Sequence, residues 1–330
     1  MSELPIVLIL SSPKDIHALA VCNELRQLKL AESVIVDTSR WPGDGCFEVR
    51  PGKDLNNAIL RFSGVNEKLQ ASQIVGVWWR RPTGFGVHEI VKVPFVQDMV
   101  RLQGRQLFYG LFNDLDIRHM NDPANEARAS WKLYQLQVAS EVGLNIPQTL
   151  MTDDPEAARK FIEKVGDVVY KPFQNPVDRL LPTRRITPQA LRAIDKVRLA
   201  PVIFQSRIPR HIDLRVTIVG QAVFSAGSPY RDLGMIEDNR IGPRKFLEPH
   251  ELPQDITRKI HLFMERLGLI YGALDFCLTK NGDYIFFEVN PAGQYLWVEI
   301  ETQLPISAAI ARWLSTGHSL DPKTNKNLVT

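Results

Sequence analysis

The sequence predicts an α/β fold, with an α+β arrangement in its C-terminal part, from three observations. The apolar run Ile6–Leu10 is followed by helical spacing and then by a second apolar run at 34–37, an alternation typical of a parallel sheet covered by helices. Between residues 202 and 226 the apolar runs follow one another closely, with Gly220 and Gln221 as a tight turn, which is typical of antiparallel strands. The length of 330 residues exceeds one ordinary core, so we expect two or three subdomains.

The composition indicates a globular protein. Hydrophobic residues make up 44% and charged residues 23% of the chain, unlike a disordered, collagenous or membrane protein. A net charge of +3 is too small for bulk binding of nucleic acid, and no apolar run approaches a membrane span. The three cysteines, Cys22, Cys46 and Cys277, fit neither a disulfide framework nor a paired-cysteine metal site. We therefore expect a cytoplasmic protein without nucleic-acid or membrane partners.

The first 120 residues alternate between strand and helix patterns. Ser12 and Pro13 predict the start of the first helix, because proline lacks only a donor that the first turn does not use. Residues 74–79 predict a third strand, and 95–115 predict a long amphipathic helix. Neither Gly-x-Gly-x-x-Gly nor Gly-x-x-x-x-Gly-Lys follows the first strand, which disfavours a dinucleotide-binding Rossmann role and a P-loop role.

The triplet from Asn121 to Pro123 predicts the opening of a new subdomain. The patterns that follow predict a helix over 123–141, a strand over 146–150, a helix from Asp154, a strand over 168–172 and a loop over 173–188. Between Lys171 and Lys245 the chain carries 14 basic and 6 acidic residues. This surplus suits an anionic ligand, and a solvated loop face accounts for it equally well.

A predicted hairpin near the C-terminus places acidic side chains together. Asn281 and Gly282 separate two alternating runs and predict a two-residue type I′ turn. That turn sets Asp275 directly opposite Glu288, and Asn290 shares the face of Glu288 because it lies two residues further along the strand. The other face, which we expect to be core, carries Leu274, Phe276, Leu278, Ile285, Phe287 and Val289.

Two opposed carboxylates and an amide oxygen predict a magnesium site. Facing side chains have Cβ atoms about 5 Å apart, so Asp275 and Glu288 repel each other unless a cation compensates. Hard oxygen ligands suit Mg²⁺, which keeps several waters and bridges to substrate phosphates. The alternative is a solvent-exposed polar strand face.

Three basic residues are candidates to act beside this site. Lys171 ends a predicted strand, where its ammonium group would neutralise phosphate oxygens or extend into solvent. Lys132 lies on the helix after Asn121. Arg215 alternates with apolar neighbours and shares a face with Asp213, where it could stabilise a transferring phosphoryl group.

In chain order, these residues resemble those of the ATP-grasp ligases. The order is Lys132, Lys171, the segment Gln205-Ser206-Arg207-Ile208, Arg215, and the trio Asp275, Glu288 and Asn290. Two segments are similar to the microviridin-type branch, whose ligases make graspetides from ribosomal precursor peptides: Val77-Trp78-Trp79-Arg80-Arg81-Pro82 and Asn290-Pro291-Ala292-Gly293-Gln294-Tyr295-Leu296-Trp297. The resemblance covers about residues 34 to 314.

The resemblance implies an ATP-grasp fold with a pre-ATP-grasp parallel-sheet domain (1–120), a central subdomain (121–200) and a C-terminal subdomain with the metal site (201–330). It implies ATP and Mg²⁺ as cofactors. Lys132 and Lys171 would contact the phosphates, and Arg215 would act at the γ-phosphate. The adenine pocket would be lined through the backbone of Gln205, Ser206, Arg207 and Ile208, with Asp213 facing the ribose and Asp275, Glu288 and Asn290 holding Mg²⁺.

The implied reaction activates Asp or Glu side chains of a precursor peptide, which has a leader and an acidic core, as acyl phosphates and joins them to Ser, Thr or Lys. Candidates to receive the acidic side chains are Arg231, Arg240, Arg244 and Lys245, which an exposed loop would explain equally well. A homodimer is possible. The alternatives are a ligase that adds free amino acids, and a nucleotide-binding scaffold without turnover.

Two features depart from the ATP-grasp pattern. No glycine occurs between Lys171 and Gly220, and Arg179, Arg184 and Arg185 stand in the loop instead. Ser206 occupies a position where the resemblance implies an acidic residue.

Overall fold

The structure, a computed structural model, describes residues 4–41, 45–52, 55–62, 68–176, 179–232, 234–235, 237 and 246–319. The N-terminal part comprises β1 (Ile6–Leu10), α1 (Ile16–Gln27), β2 (Glu32–Val36), β3 (Cys46–Glu48), β4 (Ile59–Arg61), β5 (Leu69–Gln70), β6 (Ile74–Trp78), α2 (Pro94–Asp114) and β7 (Arg118–Met120). Strands β2, β1, β6 and β7 form a parallel sheet in that order, and β3, β4 and β5 form a small antiparallel sheet. The predicted parallel sheet is confirmed.

The first helix begins later than Ser12 and Pro13 predict. Asp15 is the residue before α1, and its carboxylate accepts a hydrogen bond from the backbone N–H of His17 at 2.9 Å. An aspartate in this position satisfies one of the unpaired N–H groups of the first turn, so the helix starts after Asp15.

The central part is built on an antiparallel sheet. Its elements are α3 (Pro123–Ala129), α4 (Lys132–Glu141), β8 (Thr149–Thr152), α5 (Pro155–Val165), β9 (Val168–Lys171), β10 (Arg184–Arg185), α6 (Pro188–Arg192) and β11 (Val202–Ser206). The strand order is β10, β9, β11, β8. The prediction of a loop over 173–188 is therefore wrong in part, because β10 lies in this segment and pairs with β9.

The single helix predicted over 123–141 is two helices. Ser130 ends α3 with its hydroxyl donating to the carbonyl of Glu126 at 2.9 Å, and Trp131 takes an extended conformation before α4. A serine hydroxyl bonded back to the preceding turn weakens a helix at that point. The interruption makes Lys132 the first residue of α4.

The C-terminal part is a five-stranded antiparallel sheet with three helices. Its elements are β12 (Arg210–Val219), β13 (Ala222–Pro229), β14 (Glu248–Pro249), α7 (Gln254–Leu267), β15 (Tyr271–Thr279), β16 (Tyr284–Asn290), α8 (Leu296–Thr302) and α9 (Ile306–Thr316). The strand order is β14, β13, β12, β15, β16.

One hydrophobic core joins the two ends of the chain. Ile310 and Leu314 of α9 are fully buried in the same cluster as Val7 and Trp78 of the N-terminal sheet and Phe224 of β13. Helix α9 therefore packs against both the N-terminal and the C-terminal sheet and joins them. None of the helices in the described ranges has the length and apolar surface needed to cross a lipid bilayer.

The β15–β16 hairpin pairs as predicted, although its turn is different. Asp275 lies opposite Glu288, which confirms the predicted pairing. The turn, however, has three residues, 280–282, because Thr279 donates its N–H to the carbonyl of Asp283 at 2.9 Å and Gly282 has a φ of 89°. A β-bulge between Asp275 and Phe276 then restores the pairing, since β16 contributes one extra residue, Phe287.

The bulge changes which side chains of β16 reach the core. Phe286 is fully buried and packs edge-on against Phe263 and Phe276, whereas Phe287 is only half-buried. Ile285 pairs with Cys277 and is also half-buried. The prediction that Phe287 and Ile285 face the core is therefore wrong, because it assumed an uninterrupted register.

Phe286→Ala should destabilise the fold by about 3–5 kcal/mol, because it leaves a cavity among closely packed rings. Phe287→Ala is the matched control one residue away, and we expect a clearly smaller loss. Urea unfolding of both variants measures the difference. An equal loss, or a larger loss for Phe287→Ala, would contradict the bulged register.

Candidate active site

Four charged side chains lie in a row across one face of the C-terminal sheet. Arg215 on β12 is opposite Asp275 on β15, which is opposite Glu288 on β16. The Nη1 atom of Arg215 donates to Oδ1 of Asp275 at 2.8 Å, and the Nζ atom of Lys132 donates to Oε2 of Glu288 at 2.8 Å. The row therefore runs cation, anion, anion, cation. It brings Arg215 and Lys132 to the Asp275–Glu288 pair that the sequence predicted.

Lys132 reaches Glu288 because a buried glutamine fixes α4 against β16. Gln135 donates its Nε2 to the carbonyl of Val289 at 2.9 Å and accepts from the N–H of Val289 at 3.2 Å. Its side chain is buried, and it also donates to the carbonyl of Ala129. The sequence analysis did not identify Gln135, because a single glutamine in a helix gives no sign of a partner 154 residues away.

The pKa of Asp275 is raised. Although its side chain keeps some access to solvent, burial by the surrounding protein raises the pKa of Asp275 and the charge of Glu288 adds to the rise, while Arg215 opposes it. At about 5 Å, the typical separation of facing positions on paired strands, two like charges repel by about 3 kcal/mol at an effective dielectric constant of about 20. A further positive charge between the two carboxylates would relieve this repulsion.

Asn290 leads into a turn whose carbonyls are held by side chains. Its Oδ1 atom accepts from the N–H of Ala292 at 3.1 Å. Asn121 donates to the carbonyl of Pro291 at 3.1 Å, and Arg215 donates through Nη2 to the carbonyl of Gln294 at 2.9 Å. The turn thus joins Asn290 to the residue that orients Arg215.

The donor set fits Mg²⁺ rather than a softer metal. Within the described ranges, no three His, Cys, Asp or Glu side chains are gathered closely enough to hold a metal ion. A cation would depend on the carboxylates of Asp275 and Glu288 and the amide oxygen of Asn290, with water or ligand oxygens completing its shell. Such an incomplete set of hard oxygen ligands suits Mg²⁺, which retains waters and binds phosphates.

The central sheet carries Lys171 and the segment predicted to line an adenine pocket. Lys171 is half-buried at the end of β9, opposite Ile203 of β11. Gln205 is buried, and its Nε2 donates to Oγ1 of Thr149 at 3.0 Å. The N–H of Ser206 donates to the carbonyl of Gln148.

The backbone N–H of Arg207 is also occupied, by the carbonyl of Asp167. Two of the donors expected to bind adenine, those of Ser206 and Arg207, are therefore used within the protein, and Ile208 follows them directly.

A network around Glu237 includes two other predicted nucleotide residues. Glu237 binds Arg185 at 2.7 Å, Arg207 at 2.6 Å and also Arg210. Burial tends to raise the pKa of Glu237, but hydrogen bonds from these arginines hold it below its usual value. Asp213 accepts from Arg210 at 3.1 Å, and both side chains are buried. Arg207 and Asp213 thus lie in an ion-pair network that sequence analysis missed.

Of the four residues predicted to bind acidic side chains, the structure describes one. Arg231 is exposed beside this network. Arg240, Arg244 and Lys245 lie outside the described residues.

Comparison with families and curated proteins finds no match: no family model and no curated protein matches the chain. Solved structures do match. The macrocyclase MdnC of Microcystis aeruginosa MRC, bound with precursor peptide MdnA, is 28% identical, with a TM-score of 0.81 over 94% of this chain and 98% of that chain. The chain has the ATP-grasp fold. The predicted resemblance to the microviridin-type branch is confirmed.

Two further ATP-grasp structures share the fold at lower identity. A Chryseobacterium gregarium RiPP-associated ATP-grasp ligase, in complex with ADP and a leader and core peptide, is 24% identical, with a TM-score of 0.82 over 95% of this chain and 97% of that chain. The ligase PsnB, complexed with a precursor variant, Mg and ADP, is 21% identical, with a TM-score of 0.74 over 94% of this chain and 98% of that chain.

Glu126 is a half-buried acid near side chains that hold the turn after Asn290. It lies on α3 beside Asn121 and near Arg80 and Arg81. Burial raises the pKa of Glu126 to about 7, against the opposing effects of the hydrogen bond from Asn121 and the two arginine charges. The carboxyl group therefore gains a proton on folding at mildly acidic pH.

Glu126→Gln should stabilise the fold at neutral and alkaline pH and have little effect in acid. The pKa of Glu126 is about 7 in the folded chain against an ordinary value of 4.5, so the folded state binds more protons between these values and loses stability as the pH rises. Glutamine cannot ionise, so the variant's advantage in Tm should grow from about pH 4.5 to about pH 7 and reach a few degrees. Thermal unfolding over this range measures it, and a constant difference would contradict the raised pKa.

Proposed function

We propose that this ATP-grasp chain is an ATP-dependent ligase that matures a ribosomal precursor peptide. The observation that carries the proposal is the row of Arg215, Asp275, Glu288 and Lys132, which sets two carboxylates between two cations. The match over nearly the whole chain to MdnC, which was solved with its precursor peptide, supports the substrate class.

The proposed reaction has two steps. A side-chain carboxylate of Asp or Glu in the peptide attacks the γ-phosphorus of ATP, which gives an acyl phosphate and ADP. A hydroxyl of Ser or Thr, or the amine of Lys, then attacks the acyl carbon, loses its proton, and releases phosphate. The product is a macrocyclic ester or amide. Reactions of this kind require positioning and charge neutralisation more than a protein nucleophile.

The residues of the row would divide the work of phosphate transfer. Asp275, Glu288 and Asn290 would hold Mg²⁺, which neutralises and orients the phosphate oxygens when bound. Arg215 would stabilise the charge on the transferring phosphoryl group. Lys132 would exchange its contact with Glu288 for a phosphate oxygen, and Lys171 would contact the phosphates from the central sheet.

The nucleoside would bind between the central and C-terminal sheets, in keeping with a division into 1–120, 121–200 and 201–330. Because the N–H groups of Ser206 and Arg207 are occupied, adenine would be bound by the carbonyls of the segment from Gln205 and by the backbone of Ile208. Asp213 would reach the ribose with its second carboxylate oxygen.

The peptide partner would have a leader and an acidic core. We propose Arg231, Arg240, Arg244 and Lys245 as the residues that receive the acidic side chains, since opposite charges steer association. A cytoplasmic location and a homodimer are parts of the same proposal.

A mass measurement tests the function. The protein is incubated with ATP, Mg²⁺ and a short acidic peptide encoded beside its gene, and peptide mass and ADP are followed together. We expect the peptide to lose the mass of one water per bond while ADP accumulates. A gain in mass when free amino acids are supplied would indicate an amino-acid ligase instead, and nucleotide binding without ADP would indicate a scaffold.

Glu288→Gln should reduce ADP formation by at least about a hundredfold while the fold is retained, because the amide removes one of the two carboxylates proposed to hold Mg²⁺. The matched control is Glu141→Gln, which lies on α4 and pairs with Arg266 at the surface; we expect it to keep full activity. Full turnover by Glu288→Gln would remove the metal assignment.

A further inference from the structure

Arg80 is a buried arginine that crosses from the N-terminal sheet to the turn after Asn290. It lies two residues beyond the end of β6, and its side chain is 1% exposed. Its Nε atom is 3.3 Å from Oδ2 of Asp15, and its Nη1 atom donates to the carbonyl of Ala292 at 2.7 Å and to that of Gly293 at 3.2 Å. The guanidinium also lies over the ring of Trp78.

The carbonyls that Arg80 binds are the middle two of four consecutive carbonyls held by side chains. Asn121 holds the carbonyl of Pro291 before them, and Arg215 binds that of Gln294 after them. The hydroxyl of Tyr271 also donates to the carbonyl of Gly293, at 2.7 Å. Displacement of the middle of this turn would therefore move both of its ends.

One end of the turn is Asn290, whose Oδ1 atom accepts from the N–H of Ala292. The other end is the carbonyl that orients Arg215 toward Asp275. We propose that Arg80 is a positioning residue for the reaction: by holding the turn 291–294 it sets both the amide oxygen of Asn290 and the guanidinium of Arg215. This inference rests on the proposed function.

Arginine suits this position for reasons of geometry and charge. Its Nη1 atom donates to two neighbouring carbonyls, while the Nε atom of the same rigid charged plane lies 3.3 Å from the carboxylate of Asp15. The single ammonium of a lysine cannot reproduce this arrangement. A neutral side chain would remove the cation beside Asp15 and one donor from each carbonyl, leaving Ala292 with Arg81 at 3.3 Å and Gly293 with Tyr271 at 2.7 Å. A lost donor costs more in a buried site. Groups that orient metal ligands typically change metal affinity by about 10–100-fold when removed.

A second arginine, Arg118, serves as a control that distinguishes a positioning role of Arg80 from a purely structural one. Arg118 on β7 also extends from the N-terminal sheet to backbone carbonyls, those of Leu314 at 3.2 Å and Ser315 at 2.5 Å at the end of α9. It does not contact the turn after Asn290. Loss of Arg118 should therefore lower stability without affecting the metal site.

The test measures ADP affinity by calorimetry with and without Mg²⁺, together with Tm, for Arg80→Met, Arg80→Lys and the control Arg118→Met. Mg²⁺ should raise the ADP affinity of the wild-type chain by some factor, and we expect this factor to be smaller by on the order of tenfold in both Arg80 variants. Their ADP affinity in the absence of Mg²⁺ should be little changed. Arg118→Met should lower Tm and keep the full gain.

Tyr271→Phe keeps the test decisive if the Arg80 variants do not fold. It removes only the hydroxyl bond to the carbonyl of Gly293 and keeps the buried ring, so we expect a smaller loss of the Mg²⁺-dependent gain in the same direction. An unchanged gain in folded Arg80 variants would overturn the inference. An equal loss of the Mg²⁺-dependent gain in Arg118→Met would also overturn it. If the Arg80 variants do not fold, an unchanged gain in Tyr271→Phe would overturn it. If the wild-type chain itself shows no Mg²⁺-dependent ADP binding, the proposed function fails, which is a different result.

Discussion

The repulsion between Asp275 and Glu288 is the constraint on which the site depends. The pairing of β15 and β16 sets the two residues opposite each other, so their side chains start from neighbouring positions on the sheet. Arg215 and Lys132 compensate from the two sides, one from a neighbouring strand and one from a helix. Each cation balances one carboxylate, and the two carboxylates are the ones that we propose to hold Mg²⁺.

Each compensating cation is delivered by a separate part of the fold. Arg215 arrives through the register of β12 against β15, which is a property of the C-terminal sheet alone. Lys132 arrives through α4, whose position is set by the buried contacts of Gln135 with β16. The interruption of the helix after Ser130 is what allows α4 to begin at Lys132. The charge row therefore depends on how α4 packs against the C-terminal sheet, and the hydrophobic core that α4 shares with β12, β15 and β16 holds them together.

Local patterns were sufficient to predict the longer strands, the parallel sheet and the opposition of Asp275 and Glu288, but not the short strands β3, β4, β5, β7, β10 and β14. The reason given for that opposition was wrong, because a three-residue turn and a bulge offset each other, and an alternation pattern cannot distinguish this from a two-residue turn without a bulge. Contacts between distant residues were missed. Arg80 and Ala292 are 212 positions apart, and Glu237 binds three arginines, two on strands β10 and β12 and one, Arg207, between β11 and β12. Nothing in the local sequence of Glu237 predicts such partners.

The two networks on β12 explain why one strand can serve different purposes. Asp213 and Arg215 share a face and are two residues apart, about 7 Å along a strand. Yet Asp213 pairs with Arg210 toward Glu237, while Arg215 pairs with Asp275 toward the proposed metal site. Opposite charges on neighbouring same-face positions would otherwise attract each other, and each is satisfied elsewhere. Arg215 is held by the carbonyl of Gln294 and the carboxylate of Asp275, so the orientation of the turn after Asn290 helps to set where its guanidinium points.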